Sequence, residues 1–60
     1  MKYYIIRFNG LYLYKTANLF THNPQSARLY KTLEGAEKWI DKNQHNYEQR
    51  NFEIGMTIKE

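Results

Sequence analysis

The sequence predicts an α+β fold: a small antiparallel or mixed sheet with one helix packed across one face. Three observations carry that expectation. Asn9-Gly10 stands between two strand-like runs, and this dipeptide is the strongest short-range hairpin signal because a type I′ turn needs positive φ at both positions. Leu33, Ala36, Trp39 and Ile40 recur at helical spacing, the stripe of a helix that buries one side. Phe52, Ile54, Met56 and Ile58 alternate with Asn51, Glu53, Gly55, Thr57 and Lys59, the period of a half-buried strand.

The turn fixes a hairpin register in which Phe8 pairs with Leu11, Arg7 with Tyr12, Ile6 with Leu13, Ile5 with Tyr14 and Tyr4 with Lys15. Alternation then sorts the side chains onto two faces. Tyr4, Ile6, Phe8, Leu11 and Leu13 form an apolar face, assigned to the core. Tyr3, Ile5, Arg7, Tyr12 and Tyr14 form the other. Thr16 to Thr21 allows two readings: Leu19-Phe20 continues the second strand beyond a bend at Ala17-Asn18, or forms a short strand of its own. His22-Asn23-Pro24 is a turn, since a residue before proline avoids the helical region and Asn favours turns. Ala27 to Tyr30 reads as a brief strand, with Ala27 and Leu29 on one side and Arg28 and Tyr30 on the other.

Thr32 is placed to cap the helix, with Glu34 in the first turn near the positive end of the dipole. Glu34 and Lys38 make a favourable i,i+4 pair on its outer surface. The helix is expected to end near Asn43, with residues 44–51 a polar loop or frayed helix. The predicted core is Tyr4, Ile6, Phe8, Leu11, Leu13, Leu29, Leu33, Ala36, Trp39, Ile40, Phe52, Ile54, Met56 and Ile58.

Sixty residues imply one domain over 1–60, near the lower size limit for folding alone, because so short a chain buries only about 60% of its unfolded surface. There is no cysteine, hence no disulfide and no thiolate metal site, which mildly favours a cytoplasmic setting. Arg7 interrupts the first apolar run, too soon for a signal peptide. The longest apolar stretch, Tyr3 to Ile6, is far short of the roughly 20 residues of a membrane helix. The expected location is the cytoplasm, with no membrane partner.

The net charge of +3 hides a polarity. Residues 1–33 carry Lys2, Arg7, Lys15, Arg28 and Lys31 and no acid, whereas residues 34–60 hold six acids and four bases. Such a division fits an anionic partner for the first half, attraction between ends of two copies, or chance in a short lysine-rich chain.

No catalytic constellation is legible. His22 and His45 lie in separate polar stretches without metal-ligand spacing. Ser26 is the only serine, and Glu34, Glu37 and Asp41 at helical spacing read as a solvated surface rather than an acid–base pair. Gly10, Gly35 and Gly55 are scattered, so no loop cradles a phosphate. The sequence predicts no enzyme, no metal, no cofactor and no small-molecule substrate.

What remains is the second hairpin face. One helix covers one side of a sheet, and this leaves Tyr3, Ile5, Arg7, Tyr12 and Tyr14, joined by Arg28 and Tyr30, as the candidate partner-binding face. Tyrosine and arginine give large contact area with a polar tip and dominate interaction hot spots. The occupants that fit are a partner protein, a second copy in a homodimer, or nucleic acid stacked on the aromatics. A solvated face stabilised by its own cross-strand Tyr–Arg contacts fits as well.

The succession YYIIRFNGLYLYK, then T-x-NP-x-x-ARLYKTLEGAEKWI, then a closing strand, resembles small uncharacterised proteins of Gram-positive phages and prophages. The resemblance spans most of the chain, and its motifs are structural. It implies the fold, a viral context and residence in the host cytoplasm. It also implies action by binding and disabling a host protein: a replication factor, a repair enzyme, or a defence nuclease such as a CRISPR effector. It transfers no functional residue.

Overall fold

A computed structural model of the protein describes residues 1–47 and 51–59; Glu48, Arg50 and Glu60, part of the charge pattern above, lie outside them. Four strands, β1 (Lys2–Phe8), β2 (Leu11–Leu13), β3 (Phe20–Thr21) and β4 (Phe52–Ile58), form one sheet in the order β3-β2-β1-β4. Every pairing is antiparallel. One helix, α1 (Leu33–Asn43), packs against β1 and β4. The α+β architecture is therefore as the sequence predicts. No helix among the described residues is long and apolar enough to cross a membrane.

The hairpin turn is formed with φ +52° at Asn9 and +78° at Gly10, the left-handed pair a type I′ turn requires. The ladder it starts is short. Only Arg7–Tyr12 and Phe8–Leu11 pair; the expected Ile6–Leu13, Ile5–Tyr14 and Tyr4–Lys15 pairs give way to another partner. Past Leu13 the chain diverges, and the segment after a single 3-10 turn at Pro24–Ser26 takes its place beside β1. The Tyr4 N–H donates to the Tyr30 carbonyl at 2.8 Å and the Tyr30 N–H returns the bond at 2.9 Å. On the other side of this segment the Arg28 N–H donates to the Leu13 carbonyl at 2.7 Å. Ala27 to Tyr30 thus enters as two isolated bridges, Tyr14–Ala27 and Tyr4–Tyr30, rather than as a continuous strand. Phe20-Thr21 resolves the ambiguity upstream: it is a separate strand on β2.

The helix begins where the cap predicts. Thr32 Oγ1 accepts from the Gly35 N–H at 3.1 Å, satisfying one of the donors a helix start leaves open. Thr32→Ala is expected to lower stability by about 1 kcal/mol and Tm by roughly 4–8 °C, with Thr32→Ser close to wild type in the same circular-dichroism melts. An unchanged melt for the alanine variant would remove the cap from the account.

The core gathers at the hairpin end of the sheet. Ile6, Leu13 and Ala36 have no exposed surface, and Trp39 is nearly as buried. Around them Phe8, Phe20, Tyr47 and Phe52 form an aromatic cluster; Trp39 meets the Phe52 ring edge-on at 5.8 Å and the Phe20 ring at 6.2 Å. The opposite end of the sheet is bare. Met56 is 59% exposed, Ile58 73% and Leu33 45%, and Leu29 is also outside the core cluster. Leu29 leaves the core by turning to the other face of the sheet, and the other three corrections share a cause of scale. Eleven helical residues span about 16 Å, whereas seven strand residues span about 23 Å, so one helix cannot roof the whole strand. Phe20, Tyr30 and Tyr47 fill the places the sequence assigned elsewhere.

Candidate functional site

The face turned away from α1 is built mainly by β1 and its neighbours. Alternation along β1 brings Tyr3, Ile5 and Arg7 to it, and the Arg7–Tyr12 pairing sets Tyr12 directly beside the arginine. The Arg7 guanidinium carbon lies 5.6 Å from the centre of the Tyr12 ring, within the reach of a cation–π contact. On the other flank the β1–β4 register places Thr57 across from Tyr3, Gly55 from Ile5 and Glu53 from Arg7.

Gly55 lies beneath the stems of Ile5 and Arg7. A Cβ there would make ordinary van der Waals contact, 3.5 Å from Ile5 Cγ1 and 3.7 Å from Arg7 Cδ, so both stems pass close over the glycine. At the far end the Tyr3 hydroxyl donates to the Met1 sulfur at 3.7 Å. Arg7 Nε is buried and, among the described residues, has no hydrogen-bond partner. A buried N–H left unmatched costs about 1–3 kcal/mol, so the guanidinium holds an unused donor in the middle of an aromatic surface.

Four of the seven predicted face residues, Tyr3, Ile5, Arg7 and Tyr12, are brought together. Three are not. Tyr14 keeps the parity of Tyr12, but the chain has left β1 by then: it bridges Ala27, and its N–H donates to the Leu19 carbonyl at 2.7 Å. Arg28 is occupied by the loop above it. Its Nε donates to the Tyr14 carbonyl at 3.2 Å and its Nη2 to the Ala17 carbonyl at 3.1 Å, a clamp that holds the chain between β2 and β3. Tyr30 packs into the core on the helix side, where a Cβ on Gly35 would stand 3.3 Å from its ring. The paired backbone bonds with Tyr4 dictate this, since directly opposed residues of an antiparallel pair share a face. Alternation then turns Leu29, 40% exposed, toward the side of Tyr3 and Ile5.

The face also holds residues that the sequence reading did not include. Glu53, Gly55 and Thr57 belong to it through the register of β4 on β1. Their alternation was visible; the adjacency of the first and last strands was not. Glu53 changes the electrostatics, because the face expected to be free of acid has a carboxylate strand-opposite Arg7.

Among the described residues no cluster of three or more His, Cys, Asp or Glu could hold a metal ion. A shallow open depression on the outer flank of α1 is lined by Glu34, Glu37, Lys38, Ile40, Asp41 and Gln44, mostly charged side chains of the helix with Ile40 at the edge of the core. No family model matches the chain, and no curated protein or solved structure matches it at a significance that would carry an argument.

Proposed function

We propose that this protein acts by binding rather than catalysis, gripping a partner protein with Tyr3, Ile5, Arg7 and Tyr12. One observation carries the reading: a Tyr–Arg surface lies on the sheet side that α1 does not cover, with the guanidinium already seated on a ring and its Nε unmatched among the described residues. Flat aromatic area around a desolvated arginine is the composition of a binding hot spot. A partner offering a carboxylate or carbonyl would bond the terminal N–H groups of Arg7, and would reach the buried Nε only by shifting the side chain. The resemblance to small phage proteins supplies the context, a phage-encoded inhibitor or modulator of a host replication, repair or defence factor in the host cytoplasm. Nucleic acid is the weaker occupant because Glu53 stands across from Arg7, and phosphates are repelled where a carboxylate faces them.

Affinity capture from a bacterial lysate, with and without nuclease, tests the reading. The expected result is one host protein recovered in stoichiometric amount irrespective of nuclease. Arg7→Ala and Tyr12→Ser should each abolish its recovery while Tm falls by no more than about 8 °C. Recovery unaffected by either substitution, or recovery of many proteins that nuclease removes, would overturn it.

A further inference from the structure

The outer edge of β4 is a second surface, independent of the Tyr–Arg face. At the opposite margin of the sheet, β3 is only two residues long, which leaves little for another strand to join. β4 runs for seven residues without proline or lysine. Short strands, edge charges, prolines and bulges are the devices that keep sheet edges from pairing, and β4 carries one charge, Glu53, and none of the others within its length. Among the described residues nothing pairs with its outer side.

The hydrogen-bond phase shows which backbone groups are free. Tyr4 turns its N–H and carbonyl away from β4 toward Tyr30, while Met1 and Lys59 bond each other in both directions. Odd-numbered residues of β1 and β4 therefore face one another, and even-numbered residues of β4 face outward. Phe52, Ile54, Met56 and Ile58 thus present their N–H and C=O groups along the open edge. The same four side chains lie on the helix side, and Met56 and Ile58 are its most exposed apolar members.

We propose that β4 pairs antiparallel with the β4 of a second copy about a two-fold axis through Met56, joining two sheets into one of eight strands. This register is chosen by charge. It sets Ile54 opposite the partner copy's Ile58 and Met56 opposite its own counterpart, both pairs formed from outward-facing residues. On the other face it sets Glu53 opposite the second copy's Lys59, twice by symmetry, so each carboxylate meets an ammonium and no like charges oppose. Edge pairing of this kind adds main-chain hydrogen bonds and buries the bare end of the apolar face. Both Tyr–Arg faces would then lie on the same side of the joined sheet.

Sedimentation equilibrium of the full chain across the micromolar range is the test. Wild type should populate a dimer at high micromolar concentration. Met56→Pro removes an outward N–H that β1 does not use, and Met56→Lys places a charge on the edge; each should weaken association at least tenfold with the helical circular-dichroism signal retained. Glu53→Lys and Lys59→Glu should each weaken it by about threefold to tenfold, and the double exchange should restore it. A monomeric wild type overturns the proposal, as does a dimer indifferent to both Met56 variants. Failure of the charge exchange to restore association overturns the register. A monomer whose capture of a different protein is lost in Met56→Pro would assign the edge to a partner's strand instead, and likewise overturns self-pairing.

Discussion

Trp39→Ala should leave the protein largely unfolded at 37 °C, with the helical signal lost. Truncating a buried tryptophan costs about 3–5 kcal/mol. Domains carry roughly 0.05–0.15 kcal/mol of stability per residue, so about 3–9 kcal/mol is the whole reserve of a chain of this length. Trp39 has no substitute within reach. It is the side chain through which α1 enters the aromatic cluster, edge-on to Phe20 and Phe52, and it lies beside Ala36, whose small side chain lets the helix approach. Its Nε1 also donates to Asn18 Oδ1 at 3.2 Å, tying the helix to the loop before β3. Trp39→Phe separates the two roles, keeping most of the ring contact and deleting the hydrogen bond. Because Asn18 is exposed and can bond water instead, the phenylalanine variant should lose only about 1–2 kcal/mol and remain folded. If Trp39→Ala melts within about 8 °C of wild type, the aromatic cluster is not the centre of stability.

Ile6→Ala and Leu33→Ala should differ sharply, although the sequence assigns both to the core. Ile6 has no exposed surface, and removing three carbons there leaves a cavity between sheet and helix, at about 2–5 kcal/mol. Leu33 is 45% exposed at the start of α1. Little apolar contact is lost there, and alanine is the better helix former, so the change should cost less than about 1 kcal/mol. Chemical denaturation read by circular dichroism distinguishes them through the midpoint at constant m-value. Equal losses at the two positions would mean that the helix covers the whole sheet and that the bare end described above does not exist.

The elements with local causes were legible in the residues. Asn9-Gly10 dictates its turn because few other dipeptides tolerate two positive φ values, and Thr32 caps its helix because its hydroxyl reaches a backbone N–H three residues on. The strict alternation of Phe52 to Ile58 likewise separates two faces wherever the strand sits. Four members of the candidate face, Tyr3, Ile5, Arg7 and Tyr12, follow from the turn and parity alone.

Everything that depended on a neighbour distant in sequence was decided by the fold. Parity marks Met56 and Ile58 as equals of Ile54, and only the placement of an eleven-residue helix over one end of the sheet buries one and exposes the others. Tyr30 and Leu29 exchange faces because Tyr4 spends its backbone bonds on Tyr30 instead of on Lys15, a competition between two pairings of similar local merit. Arg28 leaves the binding face together with Tyr30, whose hydroxyl accepts from the Arg28 Nη1 at 3.4 Å, while the carbonyls of Tyr14 and Ala17 take its other donors. Glu53 joins Arg7 because the last strand settles beside the first. Periodicity is a property of one segment, and so one segment suffices to read it. Which segments meet is set by the sum of burial and backbone pairing over the whole chain, and no stretch of residues contains that sum.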